Sequence, residues 1–164
     1  MQLSAHFSLD EMLVTSKTSF AQAQKAYSER PEIRQALISL CETVLEPVRA
    51  HVGRAIRVNS GLRCPELNAA TAGASATSQH TLGQAADICV PGWTDAQLRE
   101  LWKWIGWQSG LPFGQAISED KRPDQEGGAW VHISLGTPWR EAKRCGQRLT
   151  WDPTNKYRTW SQPP

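Results

Sequence analysis

The feature that most constrains this chain is a pair of distant segments that together carry two histidines and one aspartate. His80 and Asp87 lie in the run SQHTLGQAAD, residues 78–87, and His132 lies in WVHIS, residues 130–134. Two imidazoles and one carboxylate can hold a zinc ion and leave its fourth coordination position open to water. The pattern therefore predicts a fold that brings both segments to one catalytic metal site.

Length and charge limit the class of protein. The chain has 164 residues, which fits one domain with a single core. We expect this core to span about residues 7–135, and residues 136–164 to form a tryptophan-rich C-terminal extension packed over it. The formal net charge is +2 and the basic residues are scattered, which argues against a nucleic-acid-binding protein. We expect a monomer.

The first residues and the hydropathy pattern predict where the chain is made. The first eight residues contain neither a basic region nor an apolar run, so they do not resemble a secretory signal. No apolar stretch reaches the roughly 20 residues that a membrane-spanning helix needs. We therefore expect synthesis in the cytoplasm without a signal peptide, and no membrane partner.

Two capping boxes predict where helices begin. Ser8 is followed three residues later by Glu11, and the helix they begin is expected to reach about Ser16. Thr94 is followed in the same way by Gln97, at the start of a segment with apolar residues at helical spacing. Each pair predicts a helix from interactions within one turn.

The longest helix is predicted to begin at Pro31. Apolar residues recur at helical spacing from there to Val48, and Gly53 is expected to close the helix. Pro47 should kink or end it, because proline has no amide hydrogen to donate. The polar residues 17–30 that precede this helix are expected to form an irregular linker.

Four short segments are predicted to be strands, which gives an α+β domain with a small antiparallel sheet and flanking helices. In the last of them Trp130, His132 and Ser134 share one face, because side chains alternate along a strand. That face should line the cleft. The segments are residues 55–59, 85–90, 113–119 and 129–135.

These segments follow the order and approximate spacing of a known family, and the chain resembles the zinc D-alanyl-D-alanine carboxypeptidases from about Phe7 to Ile133. The resemblance is carried by SGLR at 60–63, SQH and AAD within 78–87, FGQAISE at 113–119 and WVHIS at 130–134. That family includes bacterial cell-wall peptidases and phage endolysins, and it shares its metal fold with the hedgehog domain. The resemblance implies a hedgehog-like fold with Zn²⁺ as cofactor.

The resemblance also implies the ligands and the reaction. It assigns His80, Asp87 and His132 to the zinc ion and predicts hydrolysis of an amide bond in the peptide stem of peptidoglycan. The expected protein is a phage or prophage endolysin that acts on the cell wall after release.

The catalytic base is left open by the same resemblance. The family often places an acidic residue three positions before the last histidine, and here that position is Ala129. Glu119, at the end of the third predicted strand, is the favoured replacement, and Glu126 is the second candidate. Asp120 and Asp124 complete the set of alternatives.

Three further residues are expected to contact the substrate. The resemblance assigns Arg63 to the substrate or to the developing oxyanion, a role suited to a permanent cation, with a structural ion pair as the alternative. Ser78 is expected to orient its loop or the substrate, and Trp130 to wall the cleft beside His132.

Two other functions remain open at this stage. One is a zinc-containing module of a phage structural protein that binds the cell wall without cleaving it. The absence of an acidic residue at position 129, which is Ala129, keeps this alternative open. A zinc hydrolase for a free D-amino-acid dipeptide is the third hypothesis. An open cleft would favour the polymer, whereas a closed pocket would favour the dipeptide.

Overall fold

The computed structural model describes residues 1–120, 128–142 and 145–164. It has the predicted α+β class, with helices packed against one face of a single six-stranded sheet. The helices are α1 (Leu9–Met12), α2 (Ala21–Ser28), α3 (Pro31–Leu40), α4 (Glu46–Val52), α5 (Pro65–Ala69) and α6 (Asp95–Trp107). The strands are β1 (Arg57–Ser60), β2 (Ala85–Cys89), β3 (Phe113–Asp120), β4 (Ala129–Leu135), β5 (Gln147–Asp152) and β6 (Lys156–Thr159).

Both predicted capping boxes are present. The Ser8 side chain accepts from the Glu11 amide while the Glu11 carboxylate accepts from the Ser8 amide, and Thr94 with Gln97 does the same at α6. Helix α1 ends earlier than expected, at Met12. The Met12 carbonyl there accepts a hydrogen bond of 2.8 Å from the Leu62 amide, so it is engaged by the core and not by a further helical turn.

The long helix differs from its prediction at Pro47. The backbone stays helical from Pro31 to Val52, and Gly53 closes it with a positive φ of 71°. A π segment, Cys41–Leu45, ends two residues before Pro47. Its wider turn lets the helix continue past a residue that lacks an amide hydrogen, so the proline does not end it.

The predicted linker at residues 17–30 is wrong, because most of it is helical. A 3-10 turn, Thr18–Phe20, leads into α2, and the buried residues of α2 are Gln24 and Ser28. Since the inward side of this helix is polar, it lacks the apolar periodicity by which helices are recognised from sequence.

The sheet is larger than expected and mixed in direction. Its strand order is β1-β2-β4-β3-β5-β6. The first four strands pair antiparallel as predicted, but β5 pairs parallel to β3 and β6 returns antiparallel to β5. The C-terminal extension therefore contributes two strands to the sheet and does not merely cover it. Parallel pairing joins segments that are distant in sequence, so local patterns do not reveal it.

The core lies between the sheet and the helices, and the other face of the sheet carries an open cleft. Val131 and Ile133 on β4 pack into the core, whereas His132 faces the cleft, in agreement with the predicted alternation. Trp102 of α6 is fully buried, and its ring nitrogen donates to the Ala116 carbonyl at 3.0 Å. None of the helices in the described ranges has the length and apolar character needed to cross a bilayer.

Candidate metal centre and cleft

Three elements bring the predicted ligand residues together. His80 lies in a 3-10 turn, Gln79–Leu82, and Asp87 lies in the middle of β2. Gly83 closes the turn with a φ of 67°, a backbone conformation that glycine adopts at little cost. His132 on β4 is paired directly with Asp87 on β2. Antiparallel pairing thus sets two ligands side by side, and the turn adds the third.

The three ligand atoms form a compact triangle. His132 Nδ1 lies 2.9 Å from Asp87 Oδ1, His80 Nε2 lies 3.3 Å from the same oxygen, and the two nitrogens are 3.2 Å apart. A tetrahedral zinc ion with bonds of about 2.0–2.1 Å places its ligand atoms about 3.3 Å from one another. The residues present therefore fit a zinc ion on one side of the triangle.

The position of His80 is set by a backbone carbonyl. Its Nδ1 lies 2.7 Å from the Gly61 carbonyl oxygen, and donation to that oxygen leaves Nε2 free to act as a ligand. Gly61 itself lies against α1: a Cβ at this position would be 2.5 Å from the Met12 carbonyl oxygen. Only glycine allows this close approach, so the backbone oxygen that orients His80 depends on it.

Asp87 is held in its charged form. Burial raises the pKa of its carboxyl, but the electrostatic interactions and hydrogen bonds with His80 and His132 lower it by more, so the pKa lies well below the ordinary value. His80 and His132 are themselves only 2% and 8% exposed. The result is an ionised carboxylate between two imidazoles, which is the form that a metal ion requires.

Arg63 lies beside this triangle and is linked to it through Ser78. One guanidinium nitrogen donates to Ser78 Oγ at 3.3 Å, and the same oxygen accepts from the His80 amide at 3.3 Å. Burial lowers the pKa of Arg63, whereas the charges of Asp87 and Glu119 raise it. Its Nε is buried and has no hydrogen-bond partner among the described residues. Arg63 and Ser78 both line the cleft, as predicted.

The structure distinguishes between the acidic residues that are candidates for the catalytic base. Glu119 lines the cleft from β3, where it is paired with Trp130 of β4. Asp120 is paired with Ala129, and strand alternation turns both of these away from the face of His132. Position 129 thus lies on the wrong face for an acid to reach the metal. Glu126 and Asp124 lie outside the described residues.

The cleft is open and large. Its volume is about 810 Å³, and its walls run from the loop at residues 71–77, past the three ligands, to Tyr157 on β6. Trp130 forms part of the wall, as expected from its place beside His132. A cavity of this size falls within the roughly 300–1,000 Å³ typical of sites for drug-sized ligands, so it accommodates more than a free dipeptide.

Sequence reasoning missed one residue that supports this site. Gln24 of α2 is fully buried, and its amide donates to the Leu62 carbonyl at 2.7 Å while its oxygen accepts from the Cys64 amide. These are the backbone groups on either side of Arg63. The side chain therefore clamps the turn that carries the arginine, and no local pattern in the sequence marks it.

The C-terminal extension supplies further residues that the sequence did not indicate. The Arg140 guanidinium donates to the side-chain oxygen of Gln79, the neighbour of His80. Leu149 and Tyr157 line the same cleft from β5 and β6. Their roles depend on the pairing of β5 with β3, which only the folded chain reveals.

Comparison with known proteins agrees with this arrangement. The family model described as Peptidase M15 matches residues 5–118, more than half of the chain. The match includes Arg63, His80 and Asp87 and ends one residue before Glu119. The chain has no match among curated proteins.

Proposed function

We propose that this chain, which belongs to the peptidase M15 family, hydrolyses an amide bond in the peptide stem of bacterial peptidoglycan. Membership of this family makes it a zinc metallopeptidase. We assign the substrate and the role of a phage or prophage endolysin, acting on the cell wall after release, as part of the proposal. The observation that carries it is the convergence of His80, Asp87 and His132 in a cleft large enough for a peptide.

The three ligands hold the metal, and the cleft supplies the remaining groups. Bound zinc provides a Lewis acid for the scissile carbonyl and lowers the pKa of water toward neutrality. Glu119 is the carboxylate of β3 that faces the same cleft. In the proposed reaction it accepts the proton of the attacking water and delivers it to the leaving amine.

Arg63 is proposed to bind the substrate carbonyl or the negative charge that develops on it. Its side chain lines the cleft together with the three ligands. Ser78 accepts a hydrogen bond from one guanidinium nitrogen and so orients the group. A fixed cation of this kind stabilises the transition state, in which negative charge develops on the carbonyl oxygen, more than it stabilises the bound substrate.

The first test is hydrolysis of purified peptidoglycan. We expect the protein to reduce turbidity and release free amino groups, to lose both activities with a chelator, and to regain them when zinc is returned. Mass spectrometry of the products identifies the bond and distinguishes a carboxypeptidase from an endopeptidase. Binding without release of amino groups would favour the wall-binding module, and cleavage of free dipeptides alone would favour the dipeptide hydrolase.

The second test concerns the base. Glu119→Gln should lower kcat on peptidoglycan by about 10²–10⁴-fold, because loss of general acid–base catalysis has effects of this size. Zinc content should remain unchanged. The matched control is Asp120→Asn, the next residue on the opposite face of the strand, which should keep its activity. Equal rates for Glu119→Gln and the parent protein would reject Glu119 and leave Glu126 as the leading candidate.

A further inference from the structure

The hairpin of β5 and β6 continues the floor of the cleft beyond the metal centre. His132 is paired with Ile117 on β3, and Ile117 is paired with Leu149 on β5. In the adjacent row, Glu119 is paired with Trp151, and Trp151 with Tyr157. Because paired residues project from the same face of a sheet, these rows lead from the metal centre to the outermost strand.

Charge divides the two faces of this hairpin. The face toward the cleft carries only uncharged residues: Gln147, Leu149, Trp151, Tyr157 and Thr159. The opposite face carries Arg148, Thr150, Asp152, Lys156 and Arg158, of which four are charged. The uncharged face is the one that lines the cleft, through the apolar Leu149 and the aromatic Tyr157.

Tyr157 is the most exposed of the apolar and aromatic residues on this surface. Its relative exposure is 60%, and its ring lies 6.5 Å from the ring of Trp151. Burial raises the pKa of its phenol, and the negative charges of Glu119 and Asp87 raise it further, so the hydroxyl stays neutral. An aromatic side chain left open in the same cleft as the metal centre provides a rigid contact area for a ligand.

The chemistry of the surface selects its occupant. Glu119 lies in the same cross-strand row as Trp151 and Tyr157, and the cleft face of β5 and β6 carries no cation, so a carboxylate over these residues would meet repulsion without a compensating charge. Leu149 and Tyr157 instead match small aliphatic side chains and neutral peptide groups. The occupant is therefore an uncharged stretch of peptide.

We propose that the hairpin of β5 and β6 is a subsite that binds an uncharged, aliphatic stretch of the substrate peptide beyond the two residues that flank the scissile amide, with Tyr157 and Leu149 as its contact surface. This inference rests on the proposed function. Such a subsite would make the enzyme selective for long peptides. The hairpin lies beyond the residues that match the family.

The test compares two synthetic substrates built around the bond that the protein cuts in peptidoglycan. The short substrate contains only the two residues that flank this bond, and the long one adds the neighbouring stem residues on both sides. Tyr157→Ala should lower kcat/KM for the long substrate by about tenfold, mainly through KM, as expected for loss of part of a buried apolar contact. The rate on the short substrate should not change.

Two further variants make the result specific. Tyr157→Phe retains the ring and should behave as the parent protein, whereas a loss equal to that of Tyr157→Ala would overturn the apolar contact. Arg158→Ala changes the opposite face of the same strand and should leave both substrates unaffected. Melting temperatures of all variants verify that they fold.

The possible failures are distinct. If the parent protein does not cut peptidoglycan, both the proposed function and the subsite are rejected. If the parent protein cuts both peptides and Tyr157→Ala cuts the long one equally well, only the subsite is overturned. A parent protein without preference for the long substrate would also overturn the subsite alone.

Discussion

The strands that carry the metal ligands and the hairpin that extends the cleft belong to one sheet but differ in their surroundings. Every residue of β2 except Asp87 is buried, as are the last five residues of β4. By contrast, every residue of β5 is half-buried and every residue of β6 is exposed. The geometry needed for chemistry is therefore fixed at the packed centre of the sheet. The surface proposed to bind the substrate lies on exposed strands, where substitutions change the free energy of unfolding little.

The largest expected effect is at the packed centre. Asp87→Asn removes the negative ligand that contacts both imidazoles, so bound zinc and the release of amino groups from peptidoglycan should both fall to background. Metal analysis of the purified variant measures the first and an amino-group assay the second. Asp10→Asn, an exposed carboxylate in α1, is the control. Full zinc content with full activity in Asp87→Asn would refute the metal centre.

A second prediction compares the stability of the two regions. Leu40 is fully buried in α3, so Leu40→Ala should lower the free energy of unfolding by about 2–5 kcal/mol. Tyr157→Ala, on the exposed hairpin, should change it by no more than about 0.5 kcal/mol. Urea denaturation measures both. Similar losses in the two variants would mean that the hairpin is as integral to the core as the helix.

The third prediction tests the support of Arg63. Gln24→Leu leaves the Leu62 carbonyl and the Cys64 amide buried without their partner, at a cost of about 1–3 kcal/mol for each stranded group. Activity at a temperature where the variant remains folded should fall, while zinc content should not, because no metal ligand is removed. Gln22→Leu, exposed on the same helix, is the control. Unchanged activity in Gln24→Leu would show that the clamp does not position the arginine.

The sequence predicted those parts of the fold that depend on short-range signals. Both capping boxes act within a single turn, and β4 was bounded correctly by its alternating pattern. Helix α2 was missed because its buried side chains are polar. The sequence left open whether the helix continues past Pro47, because the π segment before it has no marker in the sequence. The two strands of the C-terminal extension were missed because β5 finds its partner only in the folded sheet.

The residues of the candidate site also divide into those that the sequence indicates and those that only the folded structure reveals. His80, Asp87 and His132 were identified because residue type and spacing together indicate a ligand set, and the structure brings all three into contact range. Arg63, Ser78, Trp130 and Glu119 were also placed in the cleft as expected. Gln24 and Tyr157 have no such signature, because their contribution arises from what they touch after folding.

The contact between Gly61 and Met12 couples two distant positions through the backbone. A methyl group at position 61 would displace the first helix, or else it would shift the carbonyl that orients His80. Among related sequences, we therefore expect any larger residue at the position of Gly61 to occur together with a remodelled segment at the position of Met12. Such covariation would show that the position of the N-terminal helix and the orientation of the first histidine are maintained together.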